Sequence, residues 1–165
     1  MTGYRVRGLF ARVLSVAVAM AAAIPAKAQT TPQNPPALTW DARLDAIVAS
    51  ETAIHAGLAF AFPLGTYVRV GFGAAAGFMD GSPSGRMDTS ARFLLDPFRE
   101  SRWGPYAGGG VSTRFDDGRD MTTYLLLFFG VEGPISGRFS PAFELGLGGG
   151  ARIGVILRRG AAERR

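Results

Sequence analysis

Residues 54–78 read IHAGLAFAFPLGTYVRVGFGAAAGF, two alternating runs joined by Pro63-Leu-Gly-Thr66. In the first run Ile54, Ala56, Leu58, Phe60 and Phe62 share one parity, against His55, Gly57, Ala59 and Ala61. In the second, Val68, Val70, Phe72, Ala74, Ala76 and Phe78 oppose Tyr67, Arg69, Gly71, Gly73, Ala75 and Gly77. A period of two places each set on one face of a strand, so the segment is a β-hairpin with one bulky apolar face and one small face. An α-helix has no use for this pattern, because its side chains repeat every 3.6 residues. Any fold for this chain has to accommodate that hairpin.

The same alternation recurs over residues 40–49, 87–98, 105–115, 121–132, 138–148 and 151–158, which makes eight runs with the hairpin. Polar or glycine-rich punctuation separates them at 80–86 (DGSPSGR), 99–104, 116–120 (DDGRD) and 133–137. No segment of useful length has helical period, and the 23 glycines argue against long helices. In run 121–132 Leu125, Leu127, Phe129 and Val131 oppose Tyr124, Leu126, Phe128 and Glu132, so the two parities differ least there. A tilted strand needs about 9–11 residues to cross a bilayer core. An even number of such strands can close on itself, which leaves no backbone edge unpaired in lipid. The fold class this predicts is all-β: a closed antiparallel up-and-down β-barrel of about eight strands over residues 40–158. The loops at 80–86 and 116–120 are expected outside and the tight turn at 63–66 on the periplasmic side.

The ends have a different character. Arg5, Arg7 and Arg12 precede an apolar stretch at 13–24, and Ala26-Lys27-Ala28 is a small-x-small cleavage pattern. That is the layout of a signal peptide over residues 1–28, cleaved after Ala28, and its apolar stretch is too short to be a spanning helix. Residues 29–39 are a flexible proline-rich lead-in, and residues 159–165 a basic disordered tail. The chain has a formal net charge of +5. Arg5, Arg7, Arg12 and Lys27 would leave with the signal and residues 158–165 carry a net +3, so residues 29–157 carry −2. No basic face with interleaved aromatics is left, which excludes nucleic acid as a partner. The absence of cysteine excludes a disulfide and a lipoprotein acylation site.

Alternation alone does not say which face points inward. The apolar set, with Val68, Phe72, Phe93, Phe115, Leu125, Phe129 and Phe143 in it, is too bulky for a narrow eight-stranded lumen. The opposite set is glycine, alanine and a few charges, with no lysine or glutamine in the strands. Those charges nearly balance: Asp41, Asp45, Asp88, Asp96, Glu132 and Glu144 against Arg43, Arg69, Arg92, Arg114 and Arg152. Enclosed charges must be paired to be tolerated, so these eleven residues are expected to form a structural ion-pair network in the lumen.

With its export signal, its eight runs and glycine-rich strands such as Tyr106-Ala-Gly-Gly-Gly-Val111 and Tyr67-Val-Arg-Val-Gly-Phe72, the chain resembles a known class. That class is the small outer-membrane β-barrel proteins of Gram-negative bacteria, typified by the OmpX and OmpA membrane domains. The resemblance implies export through the Sec pathway, residence in the outer membrane, and outer-membrane lipid and the barrel-assembly machinery as partners. Members of the class often end their last strand on an aromatic residue that this machinery recognises. Here the run ends Val155-Ile-Leu-Arg158 and continues into the basic tail.

Three constellations invite a chemical reading. His55 is the sole histidine, with Ser50 and Glu51 just before it, and some outer-membrane barrels hydrolyse lipid A with His, Ser and Glu. So short a spacing does not establish a triad, and a plain barrel histidine is expected. The acidic loop 116–120 lacks the spacing of a calcium loop and carries Arg119 in its middle, so it reads as solvated. The glycines at 146–150 have no helix or lysine after them and are no phosphate loop. No catalytic residue, cofactor or metal is assigned. The expected function is a non-enzymatic outer-membrane barrel with a filled lumen, structural or acting through its loops. The alternatives are an exported soluble barrel in the periplasm binding a small apolar ligand, and a lipid-modifying enzyme.

Overall fold

The computed structural model describes residues 38–98, 100–116, 120–136 and 138–160. Eight strands follow one another: β1 (Thr39–Val48), β2 (Thr52–Pro63), β3 (Val68–Met79), β4 (Ser82–Leu94), β5 (Gly104–Asp116), β6 (Thr122–Glu132), β7 (Phe139–Leu147) and β8 (Ala151–Gly160). Each pairs antiparallel with the next, and β8 pairs with β1, so the sheet is a closed up-and-down barrel in sequence order. The fold class read from the alternation is the one observed. Residues 1–28 with the Ala28 cleavage site, residues 29–37 and residues 161–165 lie outside the described residues. At the two boundaries the barrel is slightly larger than the pattern predicts. Thr39 opens β1 instead of closing the lead-in, and Arg159 lies in β8 instead of the tail.

The clearest departure is the loop expected over residues 80–86. The chain reverses at Asp80-Gly81 alone, both with positive φ (45° and 87°), and β4 begins at Ser82. Two left-handed residues form the tight turn whose twist matches the flanking strands, and Asp-Gly supplies it at low steric cost. The polar Ser82-Pro-Ser-Gly-Arg86 segment is therefore strand.

Proline within a sheet must avoid a ladder position on at least one side. All four strand prolines do. Pro63 pairs with β3 but lies beyond the last β1 partner, which is Ala61. Pro83 pairs with β3 just before β5 pairing starts at Ser84. Pro105 pairs with β6 after β4 pairing has ended at Tyr106, and Pro141 pairs with β8 after β6 pairing has ended at Ala142.

The connections 49–51, 80–81, 117–121 and 148–150 share one end of the barrel. The connections 64–67, 95–103 and 133–138 share the other end with Thr39 and Gly160, so the longer connections lie at the end where the chain enters and leaves.

Parity sorts the wall. Outward along the strands lie the bulky apolar residues, with Leu44, Leu58, Phe78, Leu125, Phe143 and Ile153 each about half exposed or more. β6 follows suit: Leu125, Leu127 and Phe129 face out while Leu126 and Phe128 are buried inside. The outward polar residues are few, and two of them, Thr113 and Thr123, are cross-strand partners whose hydroxyls bond each other at 3.1 Å. Of all outward strand positions only Arg159 carries a charge.

Candidate functional site: the charged lumen

The inward parity of every strand delivers its charges to the barrel axis. Arg43 comes from β1, Arg69 from β3, Arg86 and Arg92 from β4, Arg114 from β5, and Arg152 and Arg158 from β8. They meet Asp41 and Asp45 of β1, Asp88 of β4, Glu132 of β6 and Glu144 of β7. All these carboxylates are buried.

Asp45, with no exposed surface, is the hub. It accepts from Arg43 (Nε 2.8 Å, Nη2 3.0 Å), from Arg86 Nη2 at 2.6 Å and from Arg152 Nε at 3.3 Å. Three strands thus converge on one carboxylate, and the space for it comes from Gly154, where a Cβ would lie 2.6 Å from Asp45 Oδ1. Arg43 also bonds Glu144 at 2.8 Å. Arg152 bonds Asp88 at 2.9 Å, Arg86 approaches it at 3.2 Å, and Ser112 donates to its other oxygen at 2.7 Å. Charge-assisted bonds of this kind offset the desolvation that would otherwise forbid burial of so many ions.

Toward the termini end a second knot forms. Arg158 grips Asp41 with two bonds, 2.8 and 3.0 Å, and also bonds Glu132, while Arg92 stands 3.7 Å from Asp41. Tyr106, fully buried, has the guanidinium groups of Arg92 and Arg158 at 5.1 and 5.3 Å from its ring centre and donates to Glu144 at 3.2 Å. Both cations lie within reach of the negative quadrupole of this one ring. Gly130 makes this possible, since a Cβ there would overlap the Tyr106 ring. Tyr106, Leu126 and Phe128 form an apolar plug, and Ile47, Ala53 and Met79 form another near the opposite end. A cavity of about 30 Å³ lies against Leu126 and Phe128, beside Arg43, Asp88, Arg92 and Glu144. That is room for one or two water molecules.

The predicted network residues Asp41, Arg43, Asp45, Asp88, Arg92, Glu132, Glu144 and Arg152 are brought together by these contacts. Arg69 is buried on the same inward face. Arg114 is buried too, but its neighbours are the Sδ of Met79 at 3.7 Å and the Tyr124 ring at 5.2 Å, with its Nε and Nη2 unbonded. Asp96 is a correction. β4 ends at Leu94, and Asp96 accepts from Glu100 N, Ser101 N and Ser101 Oγ at 2.9, 2.8 and 2.7 Å, holding the 95–103 turn. Two members were missed by sequence. The polar neighbours of Arg86 resemble a loop, and Arg158 opens the basic run at the end of the chain, yet both are inward residues, of β4 and β8. Parity counted back from Asp88 and onward from Gly154 reaches both.

His55 faces the lumen with no exposed surface. Its companions are not Ser50 and Glu51, which belong to the 49–51 turn, but Ser84 and Asp116. His55 Nε2 is 2.9 Å from Ser84 Oγ, and Ser84 donates to Asp116 at 2.6 Å. In a catalytic relay the carboxylate holds the imidazole Nδ1. Here it holds the serine, and His55 Nδ1 has no partner. Asp116 of the acidic loop is thereby turned inward, and residues 117–119 lie outside the described residues.

No family model and no curated protein matches the chain. Among solved structures it is similar to the N-terminal β-barrel domain of Pseudomonas aeruginosa OprF, with 16% identity and a TM-score of 0.58 over 76% of this chain and 99% of that one. It is also similar to Neisserial surface protein A, with 12% identity and a TM-score of 0.56 over 75% and 96% of the two chains. A de novo designed transmembrane β-barrel matches at 11% identity and a TM-score of 0.58, over 79% and 100%. At these identities the likeness is one of fold, and it is the fold the resemblance implied.

Proposed function

We propose that the protein is a non-enzymatic barrel of the outer membrane, a structural element with a filled lumen and its termini toward the periplasm. The observation that carries this reading is the inversion of polarity. The wall faces out with apolar side chains and a single charge, while the arginines and carboxylates are enclosed. Water outside such a wall would be costly, and acyl chains outside it are not. An apolar ligand is disfavoured, because among the described residues the lumen is occupied by apolar clusters and ion pairs. A lipid substrate would lie outside the wall from the His55–Ser84 pair. Display through loops is disfavoured at the end away from the termini, where connections run to between two and five residues. Export through the Sec pathway, contact with outer-membrane lipid and assembly by the barrel-assembly machinery belong to the same reading.

Single cysteines test it cleanly in a chain that has none. A fluorophore at Val70, Phe93 or Leu127 should be dimmed by quenchers attached to lipid tails, and one at Gly71 or Ser90 should be shielded by the wall. Gly71 accepts a Cβ at ordinary contact distance, whereas Gly110 abuts the backbone of Thr89 and is unsuited to labelling. Recovery of the protein in the soluble periplasmic fraction, with no quenching at any site, would end the membrane reading.

A further inference from the structure

Arg159 is the one outward-facing charge on the strands, and its surroundings are specific. It is the cross-strand partner of Trp40 on β1 and of Phe139 on β7, so the three form one row across the seam where the barrel closes. Its guanidinium lies over the Phe139 ring at 6.0 Å. Trp40 is 5.7 Å from Phe60, which neighbours Phe62 and Phe72, so the row continues into an aromatic collar at the termini end. Arg138, just before Phe139, is exposed at the same rim. None of the described carboxylates pairs with Arg159.

A guanidinium stacked by its face keeps the N–H donors of its edge free, and a planar fork of donors matches a phosphate. Aromatic collars mark the depth at which acyl chains give way to headgroups. One row further into the wall lie Ala42, Leu157 and Pro141, a low apolar stretch on which a chain can rest. We propose that Arg159, flanked by Trp40 and Phe139, binds the headgroup phosphate of an anionic phospholipid in the leaflet that meets the chain termini. The site rests on the membrane reading above, because the acyl part of the ligand needs the wall to be in lipid.

The test uses the full chain folded in detergent micelles, with phosphatidylglycerol or phosphatidylcholine titrated in and bound lipid counted by native mass spectrometry. Phosphatidylglycerol should be retained over phosphatidylcholine. Arg159→Gln should weaken phosphatidylglycerol about fivefold, the scale of one basic residue at an anionic surface. Arg159→Lys should recover part of it, and Arg102→Gln, an exposed arginine of the 95–103 connection, should change nothing. Equal retention by wild type and Arg159→Gln, or an equal fall with Arg102→Gln, would overturn the site. So would binding of soluble glycerol phosphate at the same concentrations, which would make the ligand a free phosphate. Lipid-tail quenching at Leu127 is read on every variant. Insertion with no Arg159 effect removes the site alone, and no insertion of the wild type removes the membrane reading and the site with it.

Discussion

Asp45 shows how much one residue can hold together. Its two oxygens serve Arg43, Arg86 and Arg152, from three different strands. Asp45→Asn keeps the shape and removes the charge, which leaves buried guanidinium groups under-compensated. The expected cost is about 3–5 kcal/mol, read as a lower urea midpoint in lipid vesicles. Gly154→Ala should act in the same direction through the same contact, and the two changes should not add, because they damage one interaction. An additive pair would mean that Gly154 matters for some reason other than Asp45. The inward charges were legible from parity alone in the middle of each strand. They ceased to be legible at the ends, where Asp96 shares the parity of Arg92 but lies past the last ladder residue, and Arg158 looked like the start of a basic tail. Parity is a local rule, and only pairing with a neighbour decides where it stops applying.

At the level of elements, the Asp80-Gly81 reversal governs the register of β3 against β4, the pair from Val68↔Phe93 to Met79↔Ser82. Gly81 has a φ of 87° with open space around it. Gly81→Val would therefore clash with nothing and still be strained, at about 1–2 kcal/mol for a side chain in the left-handed region. Equilibrium unfolding should show that loss, and Gly85→Ala, which meets only an ordinary contact, should show little. A neutral Gly81→Val would mean that the turn is not built as described. The turn dipeptide was visible in the sequence, but the serines and proline that follow it resemble loop. What rescues them is position: Pro83 lies where β4 has only one neighbour, a fact of strand lengths that composition cannot express. β6 was the opposite case. Its weak alternation, Leu126 and Phe128 against Leu125 and Leu127, arises because part of the lumen is itself apolar around Tyr106.

For the molecule as a whole, closure and filling make separate claims. Closure pairs every strand on both sides, so the barrel should resist SDS at room temperature and migrate differently on a gel before and after boiling. Among the described residues the lumen holds two apolar clusters, the ion pairs and a cavity of about 30 Å³. Purified protein in a planar bilayer should show no sustained conductance, and a steady channel would contradict the packing of Tyr106 and Phe128 between the ion pairs. Small barrels of this strand number have just the width that their own interior side chains occupy.

Thr39 and Gly160 are cross-strand partners, so the first and last residues of the barrel are neighbours across the β1–β8 seam. That seam is hydrogen-bonded like every other, and nothing in the ladder distinguishes it except that the chain happens to be cut there. Joined by a short flexible linker and reopened within the 95–103 connection, the same residues would form a circular permutant whose first strand is β5 and whose last is β4. Its lumen contacts would be unchanged, and its gel shift on boiling should match that of the parent. The order in which the strands are made is then a matter of biosynthesis, while the barrel itself is a ring without a beginning.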